Sequence, residues 1–288
     1  MPSQGKSYKL FQAVVAVLVL PLISIGSFAL GAALQQGTPG NGMSPVQTGY
    51  AVVTPSTATN DLVVFATFGE RRGTDTTQAG VLPSTLSKHS MLFVSTSGRL
   101  SKNLGVAIAN PDPALVANVT LTLRDDKGAV LASAPVVVDP LHQAAQFVTQ
   151  LFSNQQSVPQ DLTGTLDISS DIPVAVIGLR FRGVNFSTLP ATNLSAPIGL
   201  PVISANVGGP GAVVLAQFAA GGGWATEIVL ANSGTANLTV RVDLFTKDGN
   251  PLVASLNGVS QSTFNSITIP AGGVVTLAPL DPNGDDGF

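Results

Sequence analysis

The residues that could perform acid–base or nucleophilic chemistry are few in this chain. Only two histidines occur, His89 and His142, and neither has the spacing of a metal-binding pair. Cysteine is absent, which excludes thiolate nucleophiles and thiolate metal ligands together. No G-x-S-x-G motif is present to place a serine on a nucleophile elbow. The sequence therefore predicts no catalytic residues, no cofactor and no enzyme activity.

Paired carboxylates are the next candidates, because two of them held about 5–9 Å apart could act as acid and base. The pairs Asp125 with Asp126 and Asp167 with Asp171 lie at predicted turns or strand ends. Solvated turn residues are the expectation there. Arg180 and Arg182 share one face of a predicted strand, where pairing with a carboxylate is expected.

The C-terminal residues contain the only candidates for a metal site. Asp281, Asn283 and Asp285 place oxygen-bearing side chains at alternate positions, as at the start of a calcium loop. No bidentate glutamate follows at the twelfth position of such a loop. A solvated acidic tail is the alternative, and no metal ligand is assigned.

Aromatic residues could bind a sugar by stacking, and Trp224 is the only candidate ligand-binding residue. It follows the glycine run Gly221–Gly223 in a predicted hairpin loop. Sugar-binding platforms combine several exposed rings, whereas aromatic residues make up only 6% of this chain. A core or strand-end position is therefore the expectation for Trp224, with sugar stacking as the alternative. Arg71 and Arg72, beside Glu70, are expected at a solvated loop tip, with anion binding as the alternative.

The composition limits the classes of partner. The chain has 288 residues, a formal net charge of −3 and only 10% charged residues. Basic residues are too scattered for a nucleic-acid interface. The abundance of glycine and proline is typical of short strands joined by turns. The partners that remain are an extracellular glycan or another protein.

The N-terminus has the pattern of an export signal. Lys6 and Lys9 precede an apolar run over residues 11–34, which ends in small residues. The run is also long enough to span a bilayer of about 30 Å, so an uncleaved anchor is the alternative. Membrane contact is expected only through this run, and the protein is expected to be secreted or on the cell surface.

A repeated stretch organises the rest of the chain. Its first copy joins Val106–Asn110 to Val119–Leu123 and Gly128, and its second joins Ile228–Asn232 to Val240–Leu244 and Gly249. The alternation of apolar and polar residues predicts strands with one buried face. The glycines suit hairpin turns, because glycine adopts a positive φ at no steric cost.

These patterns predict an all-β protein: two antiparallel, immunoglobulin-like β-sandwich domains after an N-terminal signal or anchor helix. One short helix is predicted over Ala144–Phe152. The predicted organisation is a signal or anchor at 1–34, a flexible linker at 35–48, a first sandwich at 49–192, a linker at 193–211, a second sandwich at 212–280 and an acidic tail at 281–288.

Segments of the second predicted sandwich resemble a module of uncharacterised secreted proteins from environmental bacteria, acidobacteria-like ones especially; they are Gln217–Asn232, Asp248–Leu252 and Phe264–Gly273. The first predicted sandwich resembles the usual companion of that module, through Ile108–Pro111, Gly164–Ile168 and Pro173–Arg180. The resemblance implies an exported β-sandwich and assigns no catalytic or binding residues.

Together these features predict an exported, non-enzymatic structural or adhesive protein. A carbohydrate- or matrix-binding module is the alternative. The non-repeated parts, namely the Glu70–Lys88 region, the glycine loop before Trp224 and the acidic tail, are where a binding function is expected.

Overall fold

The computed structural model describes residues 48–57, 62–72, 74–195, 213–222 and 224–285. The predicted signal or anchor at 1–34, most of the linker at 35–48 and most of the linker at 193–211 lie outside these ranges. The chain divides into two compact units, Met1–Pro83 and Ser84–Phe288. Regular structure in both is almost entirely antiparallel strand, which confirms the all-β prediction.

The first unit contains one hairpin. Strand β1 (Ala66–Arg72) pairs with β2 (Asp75–Val81) in an antiparallel register that sets Ala66 opposite Val81. The prediction of a loop from Glu70 onward is therefore wrong, because the strand continues and returns. Residues 48–57 contain no strand, although the β-forming residues Tyr50–Val53 lie there. Four β-forming residues become a strand only where a neighbouring strand takes up their backbone hydrogen bonds.

The second unit begins with the elements around the first repeat copy. They are β3 (Ser87–Thr96), β4 (Lys102–Ala109), β5 (Ala117–Asp125), β6 (Val130–Val138), β7 (Gln143–Phe147), helix α1 (Val148–Leu151), β8 (Leu162–Arg182), β9 (Asn185–Pro190) and β10 (Thr192–Asn193).

Strand β8 holds this part of the unit together. Its first half pairs with β3 and β5, and its second half pairs with β4 and β9. The sequence predicted two strands here, separated by a turn at Asp171–Pro173, whereas the structure has one strand of 21 residues. Pro173 is tolerated because it lies where β8 changes partners and its register with β3 shifts.

One apolar core lies under these strands. In β5 the alternation predicted from the sequence is present, with Val119, Leu121 and Leu123 buried and Thr120 exposed. The same core receives buried apolar side chains from β3, β4, β6, α1 and β8, among them Leu92, Val106, Val138, Val148, Leu166 and Ile168.

The predicted helix over Ala144–Phe152 is strand in its first four residues and helix in the next four. Ala144 and Phe147 lie in β7, which pairs with β4, and the helix is limited to the four residues of α1. The apolar residues have helical spacing, but the backbone of residues 143–147 forms hydrogen bonds with the adjacent strand β4 and is therefore extended. Val148 and Phe152 are nevertheless buried, as the pattern predicted.

The second repeat copy has the elements β11 (Ile228–Ala231), β12 (Leu238–Asp243), β13 (Ala254–Leu256), β14 (Val259–Gln261), β15 (Thr263–Ile269) and β16 (Val274–Leu277). Strand β11 pairs with β16, as β4 pairs with β7, and β12 pairs with β15, as β5 pairs with β6. The hairpin β13–β14 is inserted between β12 and β15. The turn predicted at Gly249 is present, but in this copy the inserted hairpin separates it from β15. Its core contains Ile228, Leu244, Leu256, Phe264 and Leu277.

Each copy is closed by a buried asparagine. Asn110 Nδ2 donates to the carbonyl oxygens of Leu115 and Val138 at 2.8 and 3.0 Å, and its Oδ1 accepts the Asp112 amide. Asn232 does the same in the second copy, with Nδ2 donating to Ala236 and Ile269 at 2.8 and 3.1 Å. Its Oδ1 accepts the Gly234 amide.

Candidate functional site

Trp224 projects from a tight turn. The backbones of Gly221 and Trp224 exchange two hydrogen bonds of 2.9 and 3.0 Å, and Gly221 and Gly222 have the positive φ values of 93° and 60° that such a turn requires. The Thr226 hydroxyl closes the base of the loop against the backbone of Ala219. The Trp224 side chain is 75% exposed, so it does not lie in the core. Its indole ring is available to a ligand.

His89 lies in a polar cluster that the sequence did not indicate. Its Nε2 is 2.8 Å from Asp167 Oδ2 on the adjacent strand β8. The hydroxyls of Ser87 and Ser195 lie 3.0 Å from each other, and both accept the backbone N–H of His89. Serine, histidine and carboxylate therefore meet at one end of β3. The serine hydroxyls contact the backbone of His89, however, so this arrangement has no activated nucleophile.

The carboxylates that were considered as pairs in the sequence form hydrogen bonds with separate partners in the structure. Asp167 binds His89, whereas Asp171 accepts hydrogen bonds from the backbone and side chain of Asn118 at 2.8 and 2.7 Å. These bonds, the side-chain one foremost, lower the pKa of Asp171. Asp125 accepts the amides of Lys127 and Ala129 in its own hairpin. Each group stabilises a turn or strand end.

An open depression lies beside the same hairpin. It has a volume of about 420 Å³ and is lined by Asp125, Asp126, Leu131, Ser157, Pro159, Asp161, Leu162 and Thr163. Two of its carboxylates already accept backbone hydrogen bonds: Asp125 accepts one within its own turn, and Asp161 accepts one from the Gly98 amide. His142 lies elsewhere, with Nδ1 at 2.7 Å from the carbonyl oxygen of Pro140.

The acidic tail forms a turn through Asp285. Asp281 Oδ1 accepts the amides of Asn283 and Asp285, at 2.8 and 2.9 Å, so these residues bond one another. The Asp285 carboxylate forms a two-pronged contact with the Arg99 guanidinium, in which Nη1 is 2.7 Å from Oδ2. The hydrogen bond from Arg99 and the positive charge of Arg99 lower the pKa of Asp285. In the described residues no group of three or more histidine, aspartate or glutamate side chains is arranged to hold a metal ion.

The two repeat copies contact each other through backbone. Val274 N–H donates to the carbonyl oxygen of Asp126 at 3.0 Å. Gly128 lies so close to the Ala271 carbonyl that a Cβ atom there would sit 1.9 Å from its oxygen. The first copy's hairpin turn therefore packs on the turn between β15 and β16, and only glycine fits at position 128.

An ion pair supports the same association. Arg180 Nη1, on β8, lies 2.7 Å from Glu227 Oε2, just before β11. The two side chains are only 22% and 5% exposed, so the pair is largely shielded from water. The guanidinium also lies 5.7 Å from the ring centre of Phe93. The sequence indicated that Arg180 would pair with a carboxylate and did not indicate which one.

Strand topology places these groups on an antiparallel all-β scaffold. No protein-family model and no curated protein matches the chain. Two solved structures are similar to part of it: the crystal structure of Thermotoga maritima 1070, at 14% identity and a TM-score of 0.28, covers 37% of this chain and 90% of its own. The Anabaena sensory rhodopsin transducer, at 16% identity and a TM-score of 0.28, covers 32% of this chain and 95% of its own.

The described part of the chain has no helix long and apolar enough to cross a membrane.

Proposed function

We propose that this chain is an exported, non-enzymatic structural or adhesive protein, secreted or held at the cell surface, with two immunoglobulin-like β-sandwich modules. The observation that carries the proposal is the duplicated core closed by Asn110 and Asn232. Joining such modules through backbone contacts and a shielded ion pair makes a stiff tandem unit. Stiff tandem modules suit a protein that spans or bridges surfaces.

The use of the polar side chains supports a non-enzymatic role. Asp125, Asp171 and Asp285 bind turn amides, Asn118 and Arg99 respectively. His89 and Asp167 bind each other on adjacent strands. Groups that are already engaged in stabilising turns and strand ends are not poised for proton transfer to a substrate.

The test combines location with adhesion. The full chain, carrying a C-terminal epitope, is produced in a bacterial host, and intact cells are treated with protease. Export to the surface predicts loss of the epitope without lysis, and deletion of residues 2–34 predicts its protection. Beads coated with the purified chain are then compared with beads coated with the Asn110→Ala, Asn232→Ala double variant, whose modules lack their closing hydrogen bonds.

Adhesion of the first beads to cells, and its loss with the second, is the expected result. Protection of the epitope in cells that make the full chain would overturn the export part. Equal adhesion of both bead types, or a reproducible turnover that maps to named side chains, would overturn the structural role.

A carbohydrate- or matrix-binding function is the second candidate, and the exposure of Trp224 favours it. An indole held on a closed turn loses little freedom when it stacks on a sugar ring. Because Trp224 is the only tryptophan, intrinsic fluorescence reports directly on that site. A polysaccharide ligand should shift the emission and retard the protein in an affinity gel.

The Trp224→Ala variant should lose the retardation, while Phe245→Ala, another exposed aromatic position, should keep it. Unchanged emission across a panel of polysaccharides, or equal retardation of the two variants, rejects this function.

A further inference from the structure

Among the residues that the structure describes, strand β12 has an open edge at a place where the first repeat copy is closed. Its counterpart β5 pairs with β6 on one side and with β8 on the other. Within the described residues, β12 pairs with β15 alone. Residues 213–218, which precede β11, contain no strand either. The second copy therefore has no described equivalent of β8, the strand that completes the first.

The burial of equivalent positions shows the consequence. In β5 the inward positions Ala117 and Leu121 are fully buried, at 0% exposure. In β12 the equivalent Leu238 is 46% exposed and Val242 is only partly buried. Strand β12 therefore has the apolar pattern of a strand with neighbours on both edges, but the described residues supply a neighbour on one edge only. An uncovered strand edge exposes backbone donors and acceptors that can pair with another strand.

We propose that this edge pairs with β12 of a second copy of the chain, antiparallel and centred on Val242. The stretch Val240-Arg-Val-Asp-Leu244 is complementary to itself when it is reversed about Val242. Apolar residues then lie opposite apolar residues, and the basic residue lies opposite the acidic one. In this register Arg241 lies opposite Asp243 of the second copy, and Val240 lies opposite its Leu244. Two-fold symmetry forms each of these pairs twice.

The backbone of β12 is oriented for this pairing. Leu244 N–H donates to the carbonyl of Ser262, just before β15, so the backbone N–H of Leu244 faces the β15 side. Successive residues of a strand alternate in this respect, which turns the backbone groups of Asp243 toward the open edge. Arg241 and Asp243 then form the hydrogen-bonded pairs between copies. Val242 and its symmetry mate form the close, non-hydrogen-bonded pair.

The charges favour the same register. Within one chain Arg241 Nε lies 2.8 Å from Asp243 Oδ2, on the outward face of β12. Pairing with a second copy brings another Arg241 and another Asp243 alongside, so that each charge has an opposite charge across the strands. Opposite charges directly across an antiparallel pair stabilise it, and like charges destabilise it. The match of charges belongs to β12 paired with itself, so the second copy is the occupant that these residues favour.

The first test is a cysteine cross-link, which is clean because the chain has no native cysteine. The Val242→Cys variant of the full chain, purified in mild detergent because of its apolar N-terminus, should form a disulfide-linked dimer under mild oxidation. Cα atoms of a close antiparallel pair are about 4.5 Å apart, within the range of a disulfide. Val240→Cys is the matched control: it is on the same face of the same strand, and the proposed register separates it from its mate by four positions.

The second test is charge reversal, measured by sedimentation equilibrium with circular dichroism as the check on folding. Arg241→Asp and Asp243→Arg should each weaken the dimer by about tenfold or more, because each sets two like-charged pairs across the strands. The double variant, with both reversals, restores opposite charges and should restore the dimer. A second pairing register or another occupant would not give this rescue.

A monomeric wild-type chain would overturn the proposal and indicate that the chain's own residues cover the edge. Equal cross-linking of the two cysteine variants, or a double variant as weak as the single ones, would also overturn it. The proposal does not rest on the proposed function, since a dimer could form whether or not the chain is exported or adhesive.

Discussion

Asn110 and Asn232, which are 122 positions apart in the chain, share four equivalent hydrogen bonds. Each carboxamide lies just after one strand, β4 or β11, and donates to the carbonyl of the last residue of β6 or β15, Val138 in one copy and Ile269 in the other. The backbone N–H of each asparagine also donates to the carbonyl of the residue just before a later strand, β7 in the first copy and β16 in the second. The repeat is therefore a repeat of hydrogen bonding as well as of sequence.

Replacing either asparagine by alanine should destabilise its module. Asn110→Ala removes a buried donor that serves at least two carbonyls, and each buried polar group left unsatisfied costs about 1–3 kcal/mol. The expected loss in free energy of unfolding is about 2–4 kcal/mol by urea denaturation. Asn154→Ala, at an exposed turn, is the control and should change it by less than about 0.5 kcal/mol. Equal losses of stability in Asn110→Ala and in the control Asn154→Ala would contradict a special role for the buried carboxamide.

The glycines of the two hairpins should respond differently to alanine. Gly128 and Gly249 both have positive φ, 86° and 82°, so each substitution carries a strain of about 1–2 kcal/mol. At Gly128 alone the new Cβ atom would also collide with the Ala271 backbone, whereas nothing lies within 4 Å at Gly249. Gly128→Ala should therefore be the more destabilising by at least about 1 kcal/mol in thermal or urea unfolding. It should also increase proteolysis between the two copies, and equal effects would contradict the contact.

The ion pair of Arg180 and Glu227 should depend on both of its members. Glu227→Leu leaves a largely buried guanidinium without its carboxylate, which costs about 3–5 kcal/mol in comparable buried pairs. Adding Arg180→Met should recover much of this loss, because two apolar side chains then replace the pair. Lys247→Ala, which breaks an exposed pair with Asp248, serves as the control and should cost less than about 1 kcal/mol. Additive effects of the first two changes in unfolding experiments would contradict direct pairing.

The contact of Arg99 with Asp285 should depend on pH. The hydrogen bond from Arg99 lowers the pKa of Asp285 in the folded chain. A lowered pKa means that the stabilisation is complete above the ordinary aspartate value of about 4 and is lost as the pH falls through the lower, folded value. The difference in free energy of unfolding between wild type and Asp285→Asn should therefore be constant near neutral pH and shrink in acid. A carbon NMR titration of the Asp285 carboxyl measures the pKa itself, and an unshifted value would refute the contact.

Local chemistry made much of the fold predictable. The period-two pattern of Val119, Leu121 and Leu123 predicts which face of β5 is buried, because alternate side chains of a strand point to opposite faces. Gly128 and Gly249 could be assigned a positive φ because a tight hairpin requires it. The duplication was visible because equivalent turns and cores need the same residue types. The all-β class follows from these local patterns taken together.

Other features depend on which strand edges meet, and that is not encoded locally. The helical spacing of Ala144 to Phe152 gave way to strand pairing once β4 offered an edge. The turn at Pro173 became the point where one long strand changes partners.

The candidate sites depend on the same distant pairings. His89 meets Asp167, and Arg180 meets Glu227, across long intervals of sequence. Trp224 could not be placed inside or outside by its type alone, because the closure of its turn decides its exposure. The sequence by itself determined the all-β class, the buried face of β5 and the glycine turns, since these follow from neighbouring residues. Only the tertiary structure decided the partners, because pairing joins residues that the chain keeps far apart.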